Sequence, residues 1–229
     1  MKRYLKLFLL FFVLSCNNER TLILPEIESA EVTEVLDVSA AYIFYDESQS
    51  DSTLLNRKNL ISTTNWLVNV DKRLSLKQAL THIIFLQEKK RNAQMHKNEN
   101  AKNYFTCNNI ETKTLGFLEF TDIYFKDENP NYLEYSKNNP NDYLLVKIEE
   151  DKKVRLISVT QDFKTEVSEG YYFNDSENFL DKLQAAKTKN LILFFDYDLS
   201  FQDYIDVKHF FSLPMNSDFE ISENEYLFP

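Results

Sequence analysis

Two segments of this chain, 125 residues apart, carry the same order of residue types, and that repetition restricts the fold more than any other feature. The first runs Trp66-Leu67-Val68-Asn69-Val70-Asp71-Lys72-Arg73-Leu74-Ser75-Leu76; the second runs Leu191-Ile192-Leu193-Phe194-Phe195-Asp196-Tyr197-Asp198-Leu199-Ser200-Phe201. At one fixed offset Asp71 matches Asp196, Leu74 matches Leu199, Ser75 matches Ser200 and Phe85 matches Phe210. Val68 and Val70, like Leu191 to Phe195, belong to short apolar runs of strand formers. Ser75 followed by Gln78 is a capping-box signature, and Ser200 followed by Asp203 is a close variant. A serine there accepts from an orphan N–H of the first helical turn, which stabilises the helix start by about 1 kcal/mol. Leu76, Leu80, Ile83, Ile84 and Gln87 then follow helical spacing, as do Phe201, Tyr204, Ile205, Lys208 and His209 less cleanly. Each segment therefore reads as a buried strand, a tight turn and a capped amphipathic helix.

Upstream of these segments, residues 41–48 resemble residues 170–176, and a helix is expected after each, over Ser52 to Leu60 and Ser176 to Lys187. In the second, Phe179, Leu180, Leu183 and Ala186 share a face. Phe117 to Phe125 reads as a strand of the first unit. Tyr143 to Ile148 and Val154 to Thr160 read as a hairpin around the acidic turn Glu149 to Lys153. The fold class is α/β with α+β character: two tandem small two-layer units of mixed sheet with amphipathic helices. Unit one spans 32–126, a Pro- and Asn-rich linker 127–142, unit two 143–213, and an acidic tail 214–229. The tail reads as mobile apart from an apolar anchor at Tyr226-Leu227-Phe228, and the polar stretch Gln87 to Lys102 as a solvated helix extension or loop.

The chain begins MKRYLKLFLLFFVLSC. Lys2, Arg3 and Lys6 precede a short apolar run that is below the roughly 20 residues needed to span a bilayer, the layout of a cleavable signal over residues 1–15. Val13-Leu14-Ser15-Cys16 resembles the lipobox of bacterial lipoproteins, which implies that Cys16 becomes the lipidated first residue. The competing reading is an ordinary secretory signal, which usually ends in a small-x-small site. Residues 16–31 read as a tether, in which Thr21 to Leu24 can pair with a sheet edge. By analogy with lipoprotein sorting, Asn17 and Asn18 point to the outer membrane, facing the periplasm.

Removing residues 1–15 lowers the formal charge from -10 to -13. Such an acidic surface argues against nucleic acid, which needs a basic footprint. It also argues against the body lying on anionic lipid, so membrane attachment is expected from the lipid alone. Only two glycines occur, Gly116 and Gly170, so the clustered-glycine loops that cradle phosphates do not exist here. With Cys16 acylated, Cys107 has no intramolecular partner and reads as a small buried apolar residue; a reactive thiol is the alternative.

Leu191 to Phe211, with the preceding helix and hairpin, resembles the periplasmic domain of the ExbD/TolR family, in which a strand ends in an aspartate before a tight turn and a capped helix. Residues 66–86 fit the same pattern. The resemblance implies a small α/β module that pairs with a copy of itself or grips an envelope partner. Family members also carry an N-terminal membrane helix with an essential aspartate; residues 5–14 contain no acid, so proton transfer is not carried over. Two modules in one chain can form an intramolecular pseudo-dimer. The expected function is that of a non-catalytic envelope lipoprotein that binds a periplasmic protein or peptidoglycan, not an enzyme. The alternative is an enzyme or ligand-capture lipoprotein for glycan or peptide.

The candidate site residues are the lipidation position Cys16, the repeat positions Asp71, Ser75, Asp196 and Ser200, and the aromatics Trp66, Tyr42 and Tyr45. Asp196-x-Asp198-x-Ser200 begins like a calcium loop, but the sixth and twelfth positions are Phe201 and Val207 rather than Gly and Glu. His82, His96 and His209 lie far apart, and no zinc set converges in sequence. No metal and no cofactor is expected. Aromatics at strand positions are more often core; an exposed patch of them would instead favour a glycan or protein partner.

Overall fold

The computed structural model describes residues 20–93, 98–126, 143–159, 165–168, 170–172, 176–186 and 188–229. The expected signal and Cys16, the expected linker 127–142 and His96 lie outside the described residues. Within them the fold is mixed α/β, two sheets of parallel and antiparallel strands with three helices. The strands are β1 (Glu26–Ile27), β2 (Val38–Tyr45), β3 (Thr53–Asn56), β4 (Asn65–Val70), β5 (Asn103–Asn109), β6 (Thr114–Glu119) and β7 (Tyr124–Lys126). They continue as β8 (Leu144–Ile148), β9 (Lys153–Val159), β10 (Thr165–Val167), β11 (Tyr171–Tyr172), β12 (Asn190–Asp196), β13 (Glu220–Ile221) and β14 (Asn224–Phe228). The helices are α1 (Leu76–Arg91), α2 (Ser176–Ala185) and α3 (Phe201–Ser212).

Both sheets are built on one plan. In sheet one, β5, β4 and β2 run parallel in that order and β3 returns antiparallel beside β2. In sheet two, β14, β12 and β8 run parallel in that order and β9 returns antiparallel beside β8. The helix after the central strand, α1 or α3, supplies the crossover that a parallel pair requires. Unit two differs by inserting β10, β11 and α2 between its hairpin and its central strand. Thus β8, not residues 170–176, is the counterpart of β2.

Four other expectations are corrected by the pairing. Residues 52–60 do not form a helix: the Asp51 carboxylate accepts from the N–H and hydroxyl of Thr53, at 3.1 and 2.8 Å, and Ser52 takes a left-handed φ of 56°. Those local bonds compete with a helical turn and start β3 instead. Residues 117–125 are two strands in different sheets, because β6 pairs with β5 and β7 with β14. The tail is ordered from Pro214 onward: Asn216 and Phe219 are buried, and β14 lies between β12 and β7. The described part of the tether is packed as well, with Ile27 buried and β1 parallel to the far end of β5.

The two units meet where the repeat is strongest. Ser75 and Ser200 form an antiparallel bridge, and the bonds around it come in equivalent pairs. Leu76 donates its N–H to the Leu199 carbonyl at 2.7 Å, and Phe201 donates to that of Leu74 at 2.8 Å. Lys77 donates to Tyr197 at 3.0 Å, and Gln202 donates to Lys72 at 3.4 Å. Within each unit the third amide of the helix, Gln78 or Asp203, bonds to its own serine Oγ. The first three orphan N–H groups of each helix are therefore satisfied, two by the other unit and one by the local cap.

One apolar core runs through both units, from Ala41, Ile43 and Val68 to Leu193, Phe195 and Leu227. Phe105 of β5 stacks on Phe120 at 3.8 Å and meets the rings of Phe201 and Tyr204 on α3 edge-on, at 5.3 and 6.1 Å. Gly116 marks a close approach on the far side of β5: a Cβ there would lie 2.5 Å from Ala30 Cβ and 2.9 Å from Ile27 Cδ1. Gly116→Ala is expected to cost about 1–3 kcal/mol through overpacking, read as a lower urea midpoint. An unchanged midpoint would mean that residues 27–30 yield freely.

Candidate functional site

Asp71, Ser75, Asp196 and Ser200 all gather at the junction of the two units, where they hold turns and helix starts. Asp71 is fully buried. Burial pushes its carboxyl up, but Arg73 binds both oxygens, at 2.8 and 2.7 Å, and the N–H groups of Arg73 and Ile23 add two more bonds. The balance leaves it below the usual carboxylate range. Asp196 accepts the N–H of Asp198 at 2.9 Å, and Ser200 shares its hydroxyl with Asp203. These groups are occupied by the fold itself. Among the described residues, no cluster of His, Cys, Asp and Glu could hold a metal ion.

The three candidate aromatics are not brought together. Trp66 is in the core at 2 % exposure; its indole N–H donates to the Ile61 carbonyl at 2.7 Å, and Lys90 Nζ sits 5.1 Å over its ring. Lys90 itself is buried, with its pKa lowered by burial to about 8, and bonds to Thr64 O, Lys102 O and Asn103 Oδ1. With Gln87 also buried, this end of α1 is not the solvated extension the composition suggests. Tyr45 is half-buried, its hydroxyl donating to Glu47 and its ring covered by Arg73. Only Tyr42 lies on open surface.

The face of sheet one that carries Tyr42 is turned away from α1. Alternation along β2 sends Ser39, Ala41 and Ile43 inward, and Val38, Ala40, Tyr42 and Phe44 outward. Tyr42 stacks on Phe44 at 6.0 Å. Leu36 at 72 %, Val38 at 42 % and Tyr42 at 36 % exposure give this side a set of open apolar groups. Leu36 lies beside the start of β2, where its carbonyl accepts from Asn65, whereas Ile61 donates its N–H to the inward-facing Ser39 and accepts from the indole of Trp66, on the other face.

At the other end of β2 lies a groove of about 610 Å³, lined by Arg20, Phe44, Leu54, Leu55, Asn56, Arg57 and Lys58. Arg57 stacks over Phe85 at 4.9 Å; Phe85 is partly open to solvent, whereas its repeat counterpart Phe210 is buried against Phe179. Neither Arg57 nor Lys58 has a carboxylate partner among the described residues, whereas Arg20 reaches Asp46 at 3.3 Å. This groove is not legible from sequence, where Arg20 falls in a tether and Arg57-Lys58 in an expected helix. The adjacent basic pair was the available signal.

A second feature missed from sequence is a buried ionic cluster. Tyr204 donates its hydroxyl to Glu225 Oε2 at 3.0 Å, and Lys208 binds Oε1 of the same carboxylate. Burial, then the Glu225 charge, pushes the Tyr204 phenol well above its ordinary value. The i,i+4 spacing of Tyr204 and Lys208 on α3 was visible, but their partner lies 21 and 17 residues on. Cys107 is fully buried, and burial pushes its thiol far up, the opposite of a reactive thiolate. His82 and His209 are half-buried and both held below the ordinary range by burial; His82 bonds to Thr53 at 2.7 Å.

Compared with family models, curated proteins and solved structures, the chain finds no match in any of the three.

Proposed function

We propose that the chain is an envelope lipoprotein, held in the outer membrane through Cys16 and facing the periplasm, whose ExbD/TolR-like modules bind a periplasmic protein without catalysis or proton transfer. The observation that supports this reading is the open apolar face of sheet one. A sheet face with Val38 and Tyr42 exposed, flanked by Leu36, is a surface that gains free energy when a partner covers it. The fused units behind it provide a rigid backing, since their helix starts are bonded reciprocally.

The test is a photo-crosslinking amino acid placed at Tyr42 in intact cells, with Glu150, exposed on unit two, as the control position. An adduct with one envelope protein at position 42 and not at 150 is the expected result. Adducts recovered only on peptidoglycan would replace the protein partner by the sacculus. A lipidated, folded chain that forms no adduct at position 42 would overturn the reading.

A further inference from the structure

We propose that the basic groove beside β3 seats phospholipid headgroups of the membrane in which the chain is anchored, so that the body is oriented on the bilayer instead of swinging from its lipid. The inference rests on the reading of Cys16 as the lipidated residue. Arg20 lies four positions beyond Cys16, and four residues of chain reach at most about 14 Å. The groove that Arg20 lines is thereby kept near the headgroup layer whatever path those residues take.

The chemistry of the groove suits that layer. Arg57 and Lys58 are exposed cations without carboxylate partners among the described residues, in a chain with ten more acids than bases. Arginine and lysine bind phosphate oxygens by charge-assisted hydrogen bonds. Phe44, Leu54 and Leu55 give the same groove an apolar wall, against which the glycerol and upper acyl carbons can pack. Three acids stand on the adjoining turn, and each is engaged: Asp46 by Arg20 and Ser48, Glu47 by the Tyr45 hydroxyl, and Asp51 by Thr53.

The negative body does not cancel this attraction. At physiological ionic strength the Debye length is about 8 Å, so acids on unit two are screened while three cations at the surface are not. Each cation near an anionic surface is worth roughly a five-fold gain in association. Discounting Arg20 for its pairing with Asp46, the groove should favour the seated orientation by roughly 25- to 100-fold. Composition alone argues for a body repelled by anionic lipid; the local arrangement reverses that at one end.

The experiment uses the full chain, purified in detergent and reconstituted into vesicles of phosphatidylcholine alone or with about a third phosphatidylglycerol. A fluorophore on Asn59→Cys reports the groove, one on Glu150→Cys reports the far unit, and a headgroup-attached quencher reports proximity. Quenching at position 59 that needs phosphatidylglycerol, exceeds that at 150, and falls in 0.5 M salt and in the Arg20→Gln, Arg57→Gln, Lys58→Gln variant supports the proposal. Lys58→Glu alone serves as the second variant. Equal quenching at both positions, or indifference to phosphatidylglycerol, overturns it while leaving the lipoprotein reading intact, provided the intact mass shows acylated Cys16. An unacylated Cys16 overturns both. Loss of quenching on adding inorganic phosphate at matched ionic strength would assign the groove to free phosphate and overturn the headgroup assignment.

Discussion

Lys208→Ala is expected to lower stability by about 3–5 kcal/mol, because it leaves the Glu225 carboxylate buried without its cation. Glu225 has no exposed surface, and among the described residues it keeps only the Tyr204 hydroxyl once Lys208 is gone. For a chain of this size the loss corresponds to a fall in Tm of roughly 10 °C. The double variant Lys208→Met, Glu225→Leu should recover most of the loss, since a buried ion pair is often replaceable by apolar groups of similar size. Thermal melts of the single and double variants at pH 7.5 check both statements. A single variant as stable as the parent at pH 7.5 would show that Glu225 reaches water.

Phe105→Ala should cost about 3–5 kcal/mol, and the cost should be felt in both units at once. Phe105 lies on β5 of the first sheet, yet its ring packs on Phe201 and Tyr204 of the helix that serves the second. With the reciprocal helix caps at the junction, this makes the two repeats one cooperative body. Urea unfolding followed by the single tryptophan, Trp66, and by hydrogen exchange in β12 should shift together in the variant. Two separated transitions, with only the Trp66 transition moved, would show that the units unfold independently.

The strand–turn–helix unit was legible because its signals are local. The Ser75 capping box needs only Gln78, and both bonds of the box form. The Ser200 cap needs only Asp203. The apolar run at Leu191 to Phe195 is long enough to read as a central strand and is buried throughout. The β8–β9 hairpin was legible for the same reason: two runs of strand formers flank one charged turn.

What failed were assignments whose outcome depends on distant chain. Residues 52–60 contain helix formers, but Asp51 and the waiting edge of β2 decided for a strand. The acidic tail signals a core only at the Tyr226-Leu227-Phe228 anchor; that anchor forms the end of β14 between β12 and β7, and its pairing orders the tail around it. Trp66 and Tyr42 looked alike as strand aromatics, and only the sheet's orientation buried one and exposed the other.

The sequence by itself determined the repeated unit, its class and its caps, because hydrophobic period and first-turn hydrogen bonding act within a few residues. Only the tertiary structure decided how the two units join, which acid is buried beside which cation, and where basic side chains collect on an acidic chain. Those outcomes depend on contacts between residues up to 176 positions apart, as between Glu26 and Gln202, and neither local spacing nor net charge records which distant groups will meet.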